Sequence, residues 1–452
     1  MYRKLFVSAV IIIATVDVSA QQWSLKDCIE HSLEHNIQLQ QSRIALEESE
    51  VDVKSAKAAL FPNLSFSTSQ NGRYQPYLED GAGSSIVTDD GSGGSRVSTS
   101  QDHFSYSGSY GINAGMTLFN GGKNWRNIKQ QRLNRDIALL SINERENTLK
   151  EEIATLYVQI LYSQEAVNVN KQSLESVKEN LRAGEEKFAV GKIAKSEVVE
   201  LRSQVSSAEY RLVNAQTQLA NYKLQLKQLL EITDESSFNI TIPEASDALA
   251  LAPVAGVNDA YNTALALRPE IESSRLNTKA ADMAIKQAKA GYYPTISLNA
   301  GAGTSNNDSD DRNFANQLKY NLSCSMGVSL SIPIFDNRSS KSNIQKAKLQ
   351  YRNSQLQEQE SEKQLYSTIE GLWLDAQSSQ KQFIAAKNSV ESAQASYNLL
   401  SEQFNVGLKN ATELLSGRTT LLQAQQELLQ AKYTAILSNQ ILKFYMGGDI
   451  LF

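Results

Sequence analysis

Two rhythms of hydrophobic and polar positions alternate along this chain, one with a period of two and one with a period of seven. Phe104 to Leu118 shows the first. Its even positions are Phe104, Tyr106, Tyr110, Ile112, Ala114, Met116 and Leu118, interrupted only by Gly108, and its odd positions are Ser, Gly, Asn and Thr. Leu318 to Ile334 repeats the pattern, with Leu318, Tyr320, Leu322, Cys324, Met326, Val328, Leu330, Ile332 and Ile334 on one parity. Leu64-Phe66-Thr68 and Ile296-Leu298-Ala300-Ala302 follow it more weakly. Such alternation sets one strand face against an apolar medium and the other against water or small side chains. The spacing predicts strands over about 63–70, 104–118, 295–303 and 318–334. One such strand alone would suit a soluble sheet. Here the longer two exceed the roughly 9–11 residues that a tilted membrane strand needs. Their polar faces also carry almost no charge, which suits a water-filled lumen.

The second rhythm fills the stretches between the strands. Ile153, Ile160, Val167, Leu174, Leu181 and Phe188 recur every seven residues, with no proline between Asn120 and Phe188. Ile369, Ala376, Phe383, Val390, Tyr397 and Phe404 do the same. Returning stretches carry seams of their own, Val198-Val205-Leu212-Leu219-Leu226 and Leu414-Leu421-Leu428-Ala435-Leu442. Sustained seven-residue spacing is the mark of coiled-coil helices. Gly191 and Gly407 stand where each chain must reverse, and glycine enters the left-handed conformation of such turns at little cost. The pattern predicts two long helical hairpins with tips near 188–196 and 404–412.

The two rhythms also repeat as a set. Phe61-Pro62 before one strand corresponds to Tyr293-Pro294 before another, and Phe119 to Phe188 matches Phe335 to Phe404 in length. The tips read Lys187-Phe188-Ala189-Val190-Gly191 and Gln403-Phe404-Asn405-Val406-Gly407. A first repeat over 21–231 and a second over 258–452 flank a connector at 232–257 that breaks both rhythms. The connector, with its Phe238-Ile240-Ile242 alternation and two prolines, is expected to be partly β and to pack around the helices. The fold class is therefore an α+β membrane protein made of two tandem repeats, each with two strands and long coiled-coil helices. Four strands cannot close a membrane barrel, since about 8 is the smallest number known. An open edge in lipid would strand backbone donors and acceptors. Copies must join, and strand counting permits a dimer of 8 strands or a trimer of 12.

Composition adds the compartment. Arg3 and Lys4, the apolar run Leu5 to Val16 and the small residues Val18-Ser19-Ala20 make 1–20 a signal peptide. No later stretch offers the apolar length of a transmembrane helix. The net charge of −5 and pI near 5.5 point away from nucleic acid. Cys28 and Cys324 fall in different predicted layers, so two free thiols are expected. His31-Ser32-Leu33-Glu34-His35 matches a zinc-peptidase pattern. The one remaining histidine, His103, lies far along the chain, so a solvated helix face is the better reading. No metal, cofactor or catalytic set is expected.

The residues together resemble the TolC-type outer-membrane efflux proteins over essentially the whole mature chain. The resemblance rests on Trp23-Ser24-Leu25-Lys26-Asp27-Cys28 and Arg268-Pro269-Glu270-Ile271 opening the two repeats. It rests further on Ala59-Leu60-Phe61-Pro62 and Gly291-Tyr292-Tyr293-Pro294 before strands, Ile332-Pro333-Ile334-Phe335 after them, and the two Val-Gly tips. It implies a homotrimer in the outer membrane, with a shared 12-strand barrel and a 12-helix periplasmic tunnel. It implies a passive exit duct that serves an inner-membrane transporter through a periplasmic adaptor docked on the tips, for drugs, metal ions or polypeptides alike.

Carried over by residue, Val406-Gly407-Leu408 matches the family's docking tip. Val190-Gly191-Lys192 is its partner, with lysine in place of leucine. Glu413 stands at the acidic constriction beyond the second tip, and Ser416 where a second acid can occur. Glu197 is the first-repeat equivalent of Glu413. Lys409 and Arg418 are candidates for holding a closed state by pairing with neighbouring helices. The rival readings are a periplasmic adaptor-like coiled-coil protein, which the strand alternation argues against, and an enzyme, for which only His31 and His35 speak.

Overall fold

The computed structural model describes residues 22–77, 86–89, 95–98, 104–233, 238–243 and 247–450. The expected signal peptide at 1–20 and His103 lie outside the described residues. In chain order, strand β1 (Gln22–Trp23) precedes helices α1 (Leu25–His35) and α2 (Ile37–Ala58). Strand β2 (Asn63–Tyr74), the short pair β3 (Ile86–Asp89) and β4 (Ser95–Ser98), and β5 (Phe104–Asn120) follow. The first hairpin is α3 (Lys123–Ala189) and α4 (Lys195–Leu229). Then come β6 (Asn239–Ile240), α5 (Asp247–Ala250), α6 (Val257–Leu267) and α7 (Pro269–Lys289). Strand β7 (Thr295–Asn307), helix α8 (Phe314–Tyr320) and strand β8 (Ser323–Ser331) lead to the second hairpin, α9 (Ser339–Asn405) and α10 (Ala411–Tyr445). Each outgoing helix, α3 and α9, has 67 residues and each returning one, α4 and α10, has 35. The tandem repeat predicted from the sequence is thus exact in its helix lengths.

The chain divides into two compact units. One takes the segment ending at Ala45, Ala138–Ser274 and the segment from Gln357 onward. Its core is a series of separate apolar clusters along the helices. Leu149, Ile153, Tyr157 and Ile160 of α3 pack with Leu25 and Cys28 of α1, Leu226 of α4, and Phe238 and Ile240 of the connector. Ser24 starts α1 with a capping box, its hydroxyl accepting from the Asp27 N–H while the Asp27 carboxylate accepts from the Ser24 N–H. The connector does pair in β form, with Gln22 and Trp23 beside Asn239 and Ile240 in parallel. Ala250 of α5 packs on Phe383, Ala431, Ala435 and Ile436 of the second hairpin. Arg268, at the start of the second repeat, is buried and forks onto Glu270 at 2.9 Å and Glu151 at 3.2 Å, with the Tyr445 ring 3.8 Å from its guanidinium carbon. Burial raises the Glu151 and Glu144 carboxyls above the usual range, and at Glu151 Arg268 offsets only part of that.

The other unit, Leu46–Ile137 with Arg275–Leu356, holds one four-stranded antiparallel sheet in the order β2-β5-β7-β8. One predicted strand is corrected here. The alternation over 318–334 yields a strand only at Ser323–Ser331. Leu318 and Tyr320 belong instead to α8, which Asn313 starts by accepting from the Asn316 N–H. Gln317 then locks the turn, its amide donating to the Asp310 and Arg312 carbonyls while its oxygen accepts from the Asn307 N–H. At the other end Pro333 has no N–H for a ladder, and the strand stops before it. The other three strands run past their predicted ends, to Tyr74, Asn120 and Asn307. Cys28 is buried and Cys324 exposed, and both are free thiols.

Candidate functional site

Two regions stand out, one in each unit. The first is the sheet. As far as Thr117 of β5, strand pairing keeps parity across all four strands, so that Phe66, Ile112, Ala302 and Cys324 share one row, and Ser65, Asn113, Gly301 and Ser325 the row beside it. One face is therefore apolar and the other is Ser, Asn, Gly and Thr. Across the polar face Ser69 and Ser109 hydroxyls lie 2.8 Å apart, and the Asn299 amide donates to Ser329 at 3.4 Å. Arg73 is the one charged residue in the four strands. Gly108, which interrupts the apolar rhythm, has a local cause. A Cβ there would overlap the side-chain oxygens of Gln70 and Asn306, two amides that fill the space from either side.

Gln70 and Asn306 also mark where the apolar face ends. Beyond them lie the exposed aromatics Tyr74, Phe104 and Tyr106, and just short of them Tyr110 is edge-on to Phe314 at 6.4 Å. The opposite margin carries exposed Phe61, Tyr292, Tyr293 and Phe335. Gly108 to Phe119 along β5 covers about 25 Å of height at a strand rise of about 3.3 Å and a tilt near 45°, the thickness of an outer-membrane apolar band. Sequence reading missed these two aromatic margins because several of their members sit outside the alternating segments.

The second region is the pair of hairpin tips. Both α3 and α9 end in the same six-residue turn. Gly191, at φ 74°, donates to the Phe188 carbonyl and Lys192 to that of Lys187; Gly407, at φ 82°, donates to Phe404 and Leu408 to Gln403. This is a Schellman closure, which requires the left-handed glycine. Val190, Val406 and Leu408 stand exposed on the two turns, with Lys192 beside them.

Beyond the turns the repeats diverge. Asn410 caps α10, accepting from the Glu413 N–H at 2.9 Å, and the Glu413 carboxylate accepts in return from the Asn410 N–H and from the Lys409 ammonium. Lys409, then the Asn410 N–H, hold the Glu413 carboxyl below the usual range. Within this chain Lys409 therefore pairs inside its own turn. In the first repeat Ala194 occupies the cap position and has no side-chain oxygen to offer. Glu197 instead reaches across, accepting from the Ala411 N–H of the second hairpin at 3.4 Å. Lys187 crosses the same way. Its ammonium donates to the Phe404 carbonyl at 2.9 Å and lies 3.8 Å from the Phe404 ring centre. Burial, then the like charge of Lys192, pulls this lysine below its usual pKa. Sequence reading passed over Lys187, although its counterpart Gln403 is uncharged. Arg418 rests on the Tyr397 ring at 5.2 Å rather than on a carboxylate.

The remaining motif offers little. His31 and His35 are stacked at 4.2 Å, with the Trp23 ring edge-on to His31 at 5.1 Å. Among the described residues no group of three or more His, Cys, Asp or Glu is arranged to hold a metal. No helix among them is long and apolar enough to cross a membrane.

Comparison with known proteins fits this arrangement. The sequence profile described as Outer membrane efflux protein matches residues 28–231 and 260–448. The chain belongs to the outer membrane efflux protein family. Outer membrane protein TolC of Escherichia coli is 25% identical over 371 residues, covering 76% of this chain and 73% of that protein. The probable efflux pump outer membrane protein TtgC of Pseudomonas putida is 22% identical over 446 residues, covering 96% and 86%. Among solved structures, VceC from Vibrio cholerae superposes with a TM-score of 0.75 at 16% identity, covering 94% of this chain and 97% of that one. The Campylobacter jejuni CmeC channel gives 0.73 at 19%, covering 94% and 86%. The protein is thus an outer-membrane efflux channel with a periplasmic helical extension, and the adaptor-like alternative falls.

Proposed function

We propose that this efflux channel works as a homotrimer, a passive duct whose barrel is closed by strands from three copies. The observation that carries this reading is the four-stranded sheet, apolar on one face and polar on the other, with the outer edges of β2 and β8 unpaired among the described residues. Unpaired edges are not tolerated in lipid, and a polar face free of acidic and lysine side chains makes a weakly selective lumen. The resemblance to the TolC-type proteins implies three copies rather than two.

An inner-membrane transporter supplies energy, and a periplasmic adaptor docks on the tips through Val190, Gly191, Lys192, Val406, Gly407 and Leu408. Exposed apolar side chains on rigid Schellman turns suit such docking. Lys192 in place of an apolar residue makes the first tip the weaker of the two. Glu413, Glu197 and Lys409 form the periplasmic constriction. Lys409 offsets much of the Glu413 charge locally, so the cation preference is modest. The reading is tested by titrating a purified adaptor onto the trimer. Leu408→Asp should abolish binding, Lys192→Leu should strengthen it, and equal binding by Leu408→Asp would reject the tip assignment.

A further inference from the structure

We infer that β8 of one copy pairs with β2 of the next in one specific register, with Ser329 opposite Ser69 and Gly327 opposite Asn71. The inference rests on the trimeric reading above and adds the alignment that the internal repeat dictates.

The repeat relates the strands by two constant offsets. Asn63 corresponds to Thr295 as first residue of β2 and β7, following Pro62 and Pro294. Phe119 corresponds to Phe335, and by the same step Gly115 corresponds to Ser331. The register confirms both offsets. Asn63 pairs with Gly115, and Thr295 pairs with Ser331. Over the nine pairs from Thr295 to Gly303 the two hairpins therefore match residue for residue, and the junction between them, β5 against β7, is the one junction of its kind within a chain.

A ring of such repeats contains the same junction again between copies. In the chain, Gly111 pairs with Gly303, Asn113 with Gly301, and Gly115 with Asn299. Carried across the repeat, these become Gly327 with Asn71, Ser329 with Ser69, and Ser331 with Ser67 of the next copy. Parity is kept, so the two strands turn the same face outward, with Val328 beside Gln70 and Leu330 beside Thr68. A slip by one residue would turn every apolar side chain of β2 inward.

Exposure supports the assignment. All described positions of β2 and β8 are exposed, whereas β5 and β7 are partly covered. Ile334 is 97% exposed while its counterpart Leu118, next to β7, is 50% exposed. The β5–β7 register shifts between Thr117 and Phe119. The equivalent shift falls between Pro333 and Phe335, and a bulge is a place where a sheet accepts proline. Residues 332–336 therefore complete β8 only against the neighbouring copy.

Cysteine cross-linking of the full-length protein in outer membranes tests this, with Cys324 replaced by serine. Directly opposed antiparallel Cα atoms lie about 4.5–5.5 Å apart, within disulfide reach, while a two-residue slip gives about 8 Å. Ser69→Cys with Ser329→Cys should give a covalent trimer on non-reducing gels. Ser67→Cys or Asn71→Cys with Ser329→Cys should give little. Ser69→Cys with Ser109→Cys should close within one chain and leave monomer mass. Efficient trimer formation by either slipped pair, or none by any pair in a protein that sediments as a trimer, overturns the register. A protein that sediments as a monomer overturns the trimeric reading itself.

Discussion

The Lys187 ammonium caps the last turn of the opposite hairpin, donating to the Phe404 carbonyl at 2.9 Å while lying over the Phe404 ring. The counterpart of Phe404 in the first repeat, Phe188, is 43% exposed, whereas Phe404 is 2% exposed. A cation at a helix C-terminus complements the partial negative charge there. Glu197 acts at the other end of the same turn, on the first N–H of α10. The first hairpin thus brackets the second with a positive group at its closing end and a negative group at its starting end.

If this bracket belongs to the resting tip, Lys187→Met should loosen it. A charged hydrogen bond with part-exposed partners contributes about 1 kcal/mol, so the open-to-closed ratio should rise about fivefold. Single-channel recording measures this, and Lys187→Arg should restore the closed state. An unchanged open probability in Lys187→Met would separate the bracket from gating.

Glu413→Gln separates charge from capping, because glutamine at the same position still serves a capping box. The helix should stay intact while the cation-to-anion permeability ratio moves toward one. Wild type should hold its ratio as pH falls past 4.5, since Lys409 and the Asn410 N–H keep this carboxyl ionised below its usual value. Stabilisation by the pair is likewise present above that value and fades as pH falls through the lowered one. A ratio unaffected by the substitution would place Glu413 away from the ion path.

Gly407→Val tests the tip geometry. The backbone there is at φ 82° with nothing within reach of an added Cβ, so the cost is conformational alone. A left-handed non-glycine residue costs about 1–2 kcal/mol. The trimer should remain intact by mass while adaptor affinity falls at least tenfold, measured by titration calorimetry.

Arg268→Met should destabilise the helical unit by about 1.5–3 kcal/mol, because it leaves the half-buried Glu151 and Glu270 carboxylates without their cation. Thermal unfolding in detergent checks this. The pH sign is opposite to that of Glu413. Burial raises Glu144 and Glu151, so the native chain binds their protons more tightly than the unfolded one. Their favourable contribution is present below about pH 4.5 and is lost as pH rises through the raised values. Glu151→Gln should flatten the dependence of the unfolding temperature on pH above 4.5.

The alternation of Phe104 to Leu118 and the heptads of both hairpins were legible in the sequence because each rhythm reports a single environment along a whole element. The stretch at 318–322 was not. Its parity matches the strand that follows, and only the cap at Asn313 and the Gln317 hydrogen bonds, which need the folded loop, turn it into helix. The candidate site was half legible. Its glycines and exposed apolar tips follow from local turn chemistry. The crossing contacts of Lys187 and Glu197 join residues more than two hundred positions apart, and no local pattern encodes them. Asymmetric use of symmetric seams is of the same kind. Phe383 and Tyr397 are buried in the second hairpin, where Val167 and Leu181 of the first are only half covered.

The central claim is a closed trimeric duct, and purified mature protein tests it most directly when its mass in detergent is measured alongside single-channel current in a planar bilayer. The account predicts a three-copy mass and a small, mostly closed conductance that Lys187→Met enlarges. A monomeric mass with no conductance would contradict it.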